Sequence, residues 1–336
     1  MATYKGIQGF SVEKLSSDPS TVIQGKLFYN DTSNVFKIGA AGTAAWASGP
    51  SCVNGRNHQG TAGLQTAAIV ALGGIPGSPP STHTATAKSE SFNGTSWTEV
   101  ADCNTARINV WAGGTQTATI FGQGNPAGGT AVETYNGTSW TTSPATTVND
   151  SYTRCYGGTS TVGVAFGGGS PMTATEIWDG TTWTEVNDLN TGRAQLSGGG
   201  TSTAAIGVCG GVANPPPPSR AATTLCETWN GTSWTEVNNA NDNYMWRSGW
   251  GIQTAAMVCG GHRGGAPVTN LSESWDGTSW TNTANLGATR YAGGPGCGTQ
   301  ALGMITGGMP TTSGVGTTAT EQWFESPISA QTVTTS

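Results

Sequence analysis

Short apolar runs alternate with polar and turn-forming residues along most of the chain. Between residues 107 and 148 four such runs follow one another, at 107–113, 118–122, 132–135 and 139–141. Short runs of this kind, with turn-forming residues between them, predict β-strands rather than helices. The same order recurs in the neighbouring segments, where the second strand ends on a pair of glycines. The pattern predicts six four-stranded units.

An eight-residue pattern marks the last two strands of each unit. It reads Glu, a variable residue, an aromatic residue, Asn or Asp, Gly, Thr, Ser or Thr, and Trp. Five complete copies end at Trp97, Trp140, Trp183, Trp234 and Trp280. A sixth copy is divided between the chain ends, since Glu321–Phe324 supplies its start and Gly42–Trp46 its end. Successive tryptophans are 51, 43, 43, 51 and 46 residues apart, which is typical of a radial array of small sheets.

The turn inside this pattern predicts a tight hairpin. An Asn-Gly or Asp-Gly pair between apolar residues is a strong hairpin signal, and we expect positive φ at both turn positions. The three copies with asparagine also match a glycosylation acceptor and are interpreted as turns. The divided copy predicts that the strand around Trp46 pairs with Glu321–Phe324, which closes the ring without a free strand edge.

These features together resemble the kelch repeat: an early arginine, an apolar strand ending in Gly-Gly, an aromatic residue, and a tryptophan after a short turn. The resemblance covers residues 40–325, and the second unit departs from it because Phe121-Gly-Gln-Gly replaces a clean Gly-Gly. It implies an all-β fold, a six-bladed kelch-like β-propeller of four-stranded antiparallel blades. The last blade is expected to be closed by an N-terminal strand.

Three sets of side chains recur once per unit and are interpreted as structural. The tryptophans are expected to fill the wedges between blades. Each arginine is expected to pair with a glutamate of its blade or to bind carbonyl groups, and an anion-binding ring of arginines around the channel is the alternative. The sets are Trp46, Trp97, Trp140, Trp183, Trp234 and Trp280; Arg56, Arg107, Arg154, Arg193, Arg247 and Arg290; and Glu90, Glu133, Glu176, Glu227, Glu273 and Glu321.

The two chain ends fall outside the repeat. Residues 1–39 hold four of the five lysines and include a predicted hairpin, Gly25–Ile38, that turns near Asn30. Residues 326–336, rich in Ser and Thr, predict a loose tail. The start Met-Ala-Thr-Tyr-Lys-Gly-Ile-Gln-Gly-Phe, the hairpin and the low-charge repeats resemble virion proteins of tailed phages, especially from marine hosts. This resemblance implies a virion location and attachment to other virion proteins through residues 1–39.

Composition and charge exclude several classes of function. The net charge is −6 and no lysine follows Lys88, so no basic stripe for nucleic acid is expected. The N-terminus lacks the apolar segment of a signal peptide, and no apolar run is long enough to span a membrane. The seven cysteines are expected to be buried free thiols, because equivalent positions in neighbouring blades are too far apart for disulfides.

No constellation of residues predicts catalysis, a metal or a cofactor. The three histidines are scattered and no Cys-x-x-Cys pair occurs, so neither copper nor zinc is expected. No nucleophile elbow or phosphate loop stands between a predicted strand and helix. An enzyme would need acidic residues outside the repeat at the channel mouth, and Asp150, Asp188 and Asp242 are the candidates. We therefore expect a protein without enzyme activity.

Variation between the units points to one face of the propeller as the binding side. The loops between second and third strands include two long, proline-rich ones, Ile75–Lys88 and Val212–Leu225. Insertions confined to one face of a repeat protein usually mark its binding side. The predicted ligand-binding residues are His83, Arg220, Tyr244, Trp246, His262 and Arg263. The alternative is that these loops are merely solvated.

The expected function is that of a non-enzymatic structural protein of a phage tail or fibre, present in multiple copies in a symmetric assembly. Its loop face is expected to bind a host surface ligand or a neighbouring virion protein. A glycan is the favoured ligand, because exposed aromatic residues among polar loops suit sugar rings. Two alternatives remain open: a capsid or tail decoration or spacer without receptor binding, and a propeller-type carbohydrate-active enzyme.

Overall fold

The chain divides into two compact units. In the computed structural model the described residues are 12–19, 26–76, 83–126, 129–149, 154–169, 172–213, 220–263, 267–291, 293–311, 315–325 and 328–333. One unit, here called the terminal unit, combines Met1–Ala45 with Phe324–Ser336, and the other is Trp46–Trp323. The boundaries expected at residues 39 and 326 therefore differ from this division, in which both chain ends belong to one unit.

The terminal unit contains one four-stranded sheet. Its strands, in sheet order, are Glu13–Leu15, Leu27–Asn30, Val35–Ala41 and Ile328–Thr332. The predicted hairpin is present, since Leu27 pairs with Ile38 and Asn30 with Val35. The prediction of a loose tail was wrong for Ile328–Thr332, which pairs antiparallel with Val35–Ala41. The hairpin offers its outer edge to this segment, and pairing satisfies the backbone groups of both.

Residues 46–323, with the flanking strand residues Ala45 and Phe324, form six four-stranded antiparallel sheets. The strands of blades 1 to 6, in order from first to fourth, are Gly60–Leu64, Ala67–Ala71, Ser89–Phe92 and Trp97–Val100; Trp111–Thr115, Ala118–Gly122, Val132–Tyr135 and Trp140–Ser143; Cys155–Gly158, Gly163–Phe166, Thr175–Trp178 and Trp183–Glu185; Ser197–Thr201, Ala204–Val208, Cys226–Trp229 and Trp234–Val237; Ser248–Ile252, Ala255–Cys259, Ser272–Trp275 and Trp280–Asn282; and Cys297–Gly298, Leu302–Thr306, Thr320–Phe324 and Ala45–Gly49.

The blades form a closed ring. The first strand of each blade contacts the first strand of the next, and the first strand of blade 6 contacts that of blade 1. Blade 6 takes its fourth strand, Ala45–Gly49, from the N-terminal side of the chain, as the divided copy of the pattern predicts. The first strands therefore surround the axis and the fourth strands lie outermost. The predicted six-bladed kelch-like propeller is confirmed.

Aromatic side chains fill the wedges between neighbouring blades. Trp140 of blade 2 is buried in one cluster with Ile69 and Leu72 of blade 1. Its indole N–H donates a hydrogen bond of 2.9 Å to the carbonyl oxygen of Ala101, in the connection that leaves blade 1. Trp183 repeats this arrangement with Pro144 one blade further on. Trp97, Trp140 and Trp183 thus join apolar burial to a bond across the blade boundary, whereas the buried indole N–H of Trp280 has no hydrogen-bond partner among the described residues.

The Asn-Gly and Asp-Gly turns differ from the two-residue hairpin that was expected. Phe92 pairs with Trp97, so the loop contains four residues. Of the turn residues only the glycine has positive φ, +93° for Gly94. The Asn93 side chain accepts hydrogen bonds from the backbone N–H groups of Thr95 and Ser96, at 3.0 and 2.9 Å. The prediction of two positive φ angles was therefore wrong, because the asparagine acts through its side chain.

Two of the long loops contain small hairpins of their own. Gly74–Pro76 pairs with His83–Ala85 in blade 1, and Gly211–Ala213 pairs with Arg220–Ala222 in blade 4. Both begin where a second strand ends, which is also the end at which first strands begin. We call this side of the propeller the loop face and the opposite side the turn face.

Candidate functional site

Six buried arginine–glutamate pairs stand at the loop face, one in each blade, as predicted. The arginine and glutamate side chains are at most 7% exposed. The nitrogen–oxygen distances are 2.8 Å for Arg107–Glu133, 2.9 Å for Arg193–Glu227, 2.5 Å for Arg247–Glu273 and 2.5 Å for Arg290–Glu321, and Arg56–Glu90 and Arg154–Glu176 are also in contact. Burying these charges is tolerable because each is paired and hydrogen-bonded.

Each glutamate also holds the connection that enters its blade. The Glu227 carboxylate accepts hydrogen bonds from the backbone N–H groups of Asn190 and Thr191, at 2.8 and 3.3 Å. The other five glutamates accept comparable bonds from the chain just before their blade. The carboxylate thereby fixes a loop and a guanidinium at once, which is a structural role.

Four arginines reach their glutamate from the same backbone position. Arg193 donates to the carbonyl oxygens of Cys209, at the end of the second strand, and Leu225, just before the third, at 3.1 and 2.6 Å. Arg56, Arg107 and Arg290 make the same two kinds of bond. We call these the early arginines.

Arg154 and Arg247 come from a different position and are here called the late arginines. In blade 5 the backbone of Met245 bridges to His262, as Ala194 bridges to Gly211 in blade 4. Tyr244 therefore occupies the place of Arg193, and Arg247 lies three positions later, directly before the first strand. Arg154 likewise directly precedes its first strand. The sequence already carries this shift, because the early arginines follow the repeat tryptophan by 10 residues whereas Arg154 and Arg247 follow it by 14 and 13.

The late arginines border a cavity on the propeller axis. The cavity spans about 500 Å³, including space open to solvent, and is lined where the first strands of all six blades begin. Both late arginines line it, whereas the early ones do not. Its polar and aromatic lining includes His58, Gln59, Trp111, Tyr156, Gln195 and Trp246. Since first strands begin at the loop face, the cavity lies at that face.

Three cavity residues, His58, Gln195 and Trp246, have a left-handed backbone conformation. His58 and Trp246 have φ of +51° and +57°, as do Asn109 and Gln195 at the equivalent place, with +62° and +57°. Asparagine tolerates this left-handed conformation, but a bulky residue pays a steric cost of about 1 kcal/mol or more. The two rings contact each other edge to face, with centroids 4.7 Å apart.

Tyr244 and Arg263 form a stacked pair beside the cavity. The Arg263 guanidinium lies 4.5 Å from the centroid of the Tyr244 ring and 3.2 Å from an oxygen of Asp242. The Arg247 guanidinium lies 5.8 Å from the same centroid. Tyr244 is only 9% exposed, so it positions the two arginines rather than offering its face to a ligand.

The structure brings some of the predicted ligand residues together and leaves others apart. Trp246 lines the cavity, with Tyr244 and Arg263 next to it in blade 5. His262 contacts the Tyr291 ring, with centroids 4.6 Å apart, and burial lowers its pKa. Arg220 lies in the blade 4 hairpin and is half-buried. The side chain of His83 lies outside the described residues.

Sequence reasoning missed most of the cavity lining. His58, Gln59, Gln195 and Tyr156 lie at the starts of first strands, which the sequence pattern treated as ordinary blade residues. The available signal was variation within the repeat. The position two residues after the early arginine, or after Tyr244 in its place, holds His58, Asn109, Gln195 and Trp246 in four blades. A variable position inside an otherwise regular unit marks the site better than loop length did.

The cysteine thiols are buried away from solvent. All seven cysteines are buried and free, as expected, and burial raises the pKa of Cys52 to about 11 and that of Cys103 to about 12. Such thiols are poor nucleophiles at neutral pH.

Within the described ranges no cluster of three metal-ligating side chains occurs. Those ranges also contain no helix long and apolar enough to cross a membrane.

Comparisons with known proteins support the fold. No family model and no curated protein matches the chain. The solved structure of YjhT, a kelch-repeat protein, is similar with a TM-score of 0.62 at 12% sequence identity. The match covers 81% of this chain and 96% of that one. At this identity the similarity concerns architecture alone. Together with the six closed blades, it shows that the chain has a kelch-like β-propeller fold.

Proposed function

We propose that this protein is a non-enzymatic structural protein of a phage tail or fibre whose propeller binds a host surface glycan at the axial cavity. Trp246 is the observation that carries the binding role. Its half-buried indole stands at the cavity in a left-handed backbone conformation that favours smaller residues. Strain of this kind persists where a side chain is needed for function.

The composition of the cavity supports a glycan as ligand. Sugar rings present an apolar face to aromatic side chains and hydroxyl groups to amides, which both donate and accept hydrogen bonds. Trp246 and His58 supply the rings and Gln195 supplies an amide. The Gln59 Nε2 atom already donates to the carbonyl oxygens of Gly293 and Thr306. The Gln59 Oε1 atom is buried without a hydrogen-bond partner among the described residues, so it retains an acceptor position for a ligand hydroxyl group or a water molecule.

The lack of carboxylates among the described residues of the cavity lining favours binding of a glycan over its hydrolysis. None of the described residues that line the cavity is Asp or Glu, whereas most glycoside hydrolases place two carboxylates beside the scissile bond. Asp188 accepts a hydrogen bond from Thr173, and Asp242 pairs with Arg263. Asp150 lies outside the described residues. Turnover of a sugar substrate would contradict the non-enzymatic role.

The virion location is proposed from the chain ends. Both ends belong to the terminal unit, which has its own sheet and divides from the propeller. The first 40 residues resemble those of phage virion proteins, and residues 1–39 are the proposed attachment to neighbouring virion proteins in a symmetric assembly. A decoration or spacer role without glycan binding is the alternative within this class.

The binding role is tested by glycan-array binding and titration of the best glycan. Trp246→Asn introduces the residue that blade 2 carries at Asn109, so the propeller is expected to fold. We expect it to lose at least about tenfold in affinity, because the aromatic contact is removed. Val53→Thr is the matched control, since it alters an exposed side chain that does not line the cavity. Equal affinity of wild type and Trp246→Asn would exclude this site.

The particle location has a separate test. Particles purified from a culture that produces the protein are analysed by mass spectrometry and by immunogold labelling of the propeller. We expect the protein in many copies at the tail or fibre. Its absence from particles would overturn the virion role and leave the glycan site to be judged by the binding experiment alone.

A further inference from the structure

We propose that three asparagines of the turn face, Asn93, Asn136 and Asn230, lose their side-chain amide groups spontaneously in the folded protein. Each of them directly precedes a glycine, as does Asn54 in the connection between blades 6 and 1. An asparagine before glycine is chemically labile, because glycine has no side chain to hinder an attack by its backbone nitrogen. The dipeptide is the same at all four sites, but the surroundings of its amide group are not.

The reaction requires only water. The glycine nitrogen attacks the asparagine Cγ atom, so that an N–Cγ bond forms and the Cγ–Nδ2 bond breaks. The amide group leaves as ammonia and takes the glycine N–H proton with it. Water then opens the resulting cyclic imide at one of the two carbonyl bonds of its nitrogen, which gives aspartate or isoaspartate. One water molecule is consumed and one ammonia molecule is released, without oxidation or reduction.

The three turns hold the asparagine carbonyl group in the way that this attack requires. The Asn93 Oδ1 atom accepts the backbone N–H groups of Thr95 and Ser96, at 3.0 and 2.9 Å. The first of these bonds folds the side chain back over its own Asn-Gly peptide, beside the glycine nitrogen. Negative charge develops on this oxygen when the nitrogen adds, so both donors stabilise that state as an oxyanion hole does. The same two bonds, each at 2.9 Å, reach Asn136 and Asn230.

Asn54 presents the same dipeptide in the opposite arrangement. Its Nδ2 group, which would have to leave, donates hydrogen bonds to Glu90 and Glu99 at 3.1 and 2.8 Å. No donor to its Oδ1 atom occurs among the described residues. Gly55 packs so closely against Gly316 that an added Cβ atom would lie 2.6 Å from the Gly316 carbonyl oxygen. The leaving group and the peptide are both held in place, so Asn54 is expected to react slowest of the four.

The fold already accommodates the aspartate product at this position. Asp179 and Asp276 occupy the equivalent place in blades 3 and 5, and each accepts two backbone N–H groups, at 2.8 and 2.7 Å. Isoaspartate is disfavoured, because it lengthens the backbone of a turn whose ends are fixed by pairs such as Phe92–Trp97. Each conversion adds one negative charge to a chain with a net charge of −6, so the turn face becomes more acidic as the protein ages.

Asn93 is expected to react first, because it has additional donors. The Thr95 hydroxyl group donates to its Oδ1 atom at 2.9 Å, and that of Ser96 at 3.4 Å. For Asn136 the described bonds are the two backbone ones alone. Thr95→Val removes the nearer hydroxyl group and keeps the shape of an exposed side chain. Thr138→Val is the matched control, since its hydroxyl group makes no described bond to Asn136.

The conversion of each site is measured by mass spectrometry of peptides, after the whole folded protein has been incubated in mildly alkaline buffer. We expect Asn93 to convert at least about tenfold faster than Asn54, because preorganised donors to a developing oxyanion give a factor of this size or more. Asn136 and Asn230 should lie between them. Thr95→Val should slow Asn93 to the rate of Asn136, and Thr138→Val should leave Asn136 unchanged.

The same incubation in urea separates the fold from the local sequence. The four sites should then convert within about threefold of one another, since the contacts of the folded state are lost. A tenfold difference between Asn93 and Asn54 that persists in urea would overturn the inference. Equal rates of these two sites in the folded protein, or no conversion of the three turn asparagines, would also overturn it.

Discussion

Blades 3 and 5 form the same ion pair as the other four blades but reach it from a different backbone position. In blade 4 the early Arg193 stands four residues before the first strand and binds the carbonyl oxygens of Cys209 and Leu225 on its way to Glu227. In blade 5 the late Arg247 directly precedes the first strand and binds the carbonyl oxygen of Val258 at 3.5 Å.

The difference shows that the glutamate is the fixed element of the pair. Every glutamate accepts backbone N–H groups of the incoming connection, so it cannot move without releasing that loop. The arginine needs only to place its guanidinium next to this glutamate, and its side chain is long enough to do so from either of two backbone positions. Where it starts late, the early position is free for Tyr244 and the arginine borders the cavity.

Removing the arginine from either the early or the late position is expected to lower the stability of the protein more than any other change considered. Arg193→Leu and Arg247→Leu each leave a buried carboxylate without its partner, which costs about 3–5 kcal/mol in the free energy of unfolding. Urea denaturation measures this cost. Arg263→Leu removes a partly exposed ion pair with Asp242 together with the stacking of Arg263 on the Tyr244 ring, and is the control, with an expected loss of about 1 kcal/mol. A much smaller cost for Arg247→Leu than for Arg193→Leu would show that the two positions are not equivalent in energy.

A transplant between the two positions sharpens the comparison. Tyr244→Arg combined with Arg247→Leu gives blade 5 the arrangement of blade 4, where Arg193 and Leu196 stand at these places. The early arginine then reaches Glu273, and we expect the double variant to unfold with a free energy about 1–3 kcal/mol above that of Arg247→Leu alone. Tyr244→Met with Arg247→Leu is the matched control and should show no recovery. Equal stability of the two double variants would mean that the late position cannot be replaced.

The sequence predicted the blades because their signals are local and repeated. Glycine turns, alternating apolar residues and the divided copy that ends at Trp46 each depend on near neighbours along the chain, and all recur. The arginine–glutamate pairs were also predictable, since both partners recur once per blade.

The axial cavity was not predictable in the same way. Its lining comes from six separate blades. The longer distance of Arg154 and Arg247 from the preceding repeat tryptophan, 14 and 13 residues instead of 10, was present in the sequence, but only bridges such as Met245–His262 show which residue takes the early position. Tyr244 was expected at an exposed binding surface for that reason. It stands instead at an arginine position, where burial is imposed by the surrounding strands.

Blades 3 and 5 also differ from the other blades in their turns at the turn face. A substitution in one of these turns is expected to have the smallest effect on stability. Blades 3 and 5 carry Asp179 and Asp276 where blades 1, 2 and 4 carry asparagine. The hydrogen bonds from Thr182 and Thr181 hold the pKa of Asp179 below its usual value of 3.8. A carboxyl with a lowered pKa stabilises the fold above its unfolded pKa and loses this contribution as the pH falls.

Asp179→Asn makes the blade 3 turn like that of blade 1, where Asn93 accepts the same two backbone bonds. We expect a small decrease in Tm at pH 7, because a neutral amide is the weaker acceptor. This difference should shrink as the pH falls below the unfolded pKa of 3.8, because the unfolded chain then binds a proton that the folded carboxylate does not. Thermal unfolding across this pH range measures it. A constant difference would show that the charge of Asp179 does not contribute, and that the two blade classes are distinguished by their arginines alone.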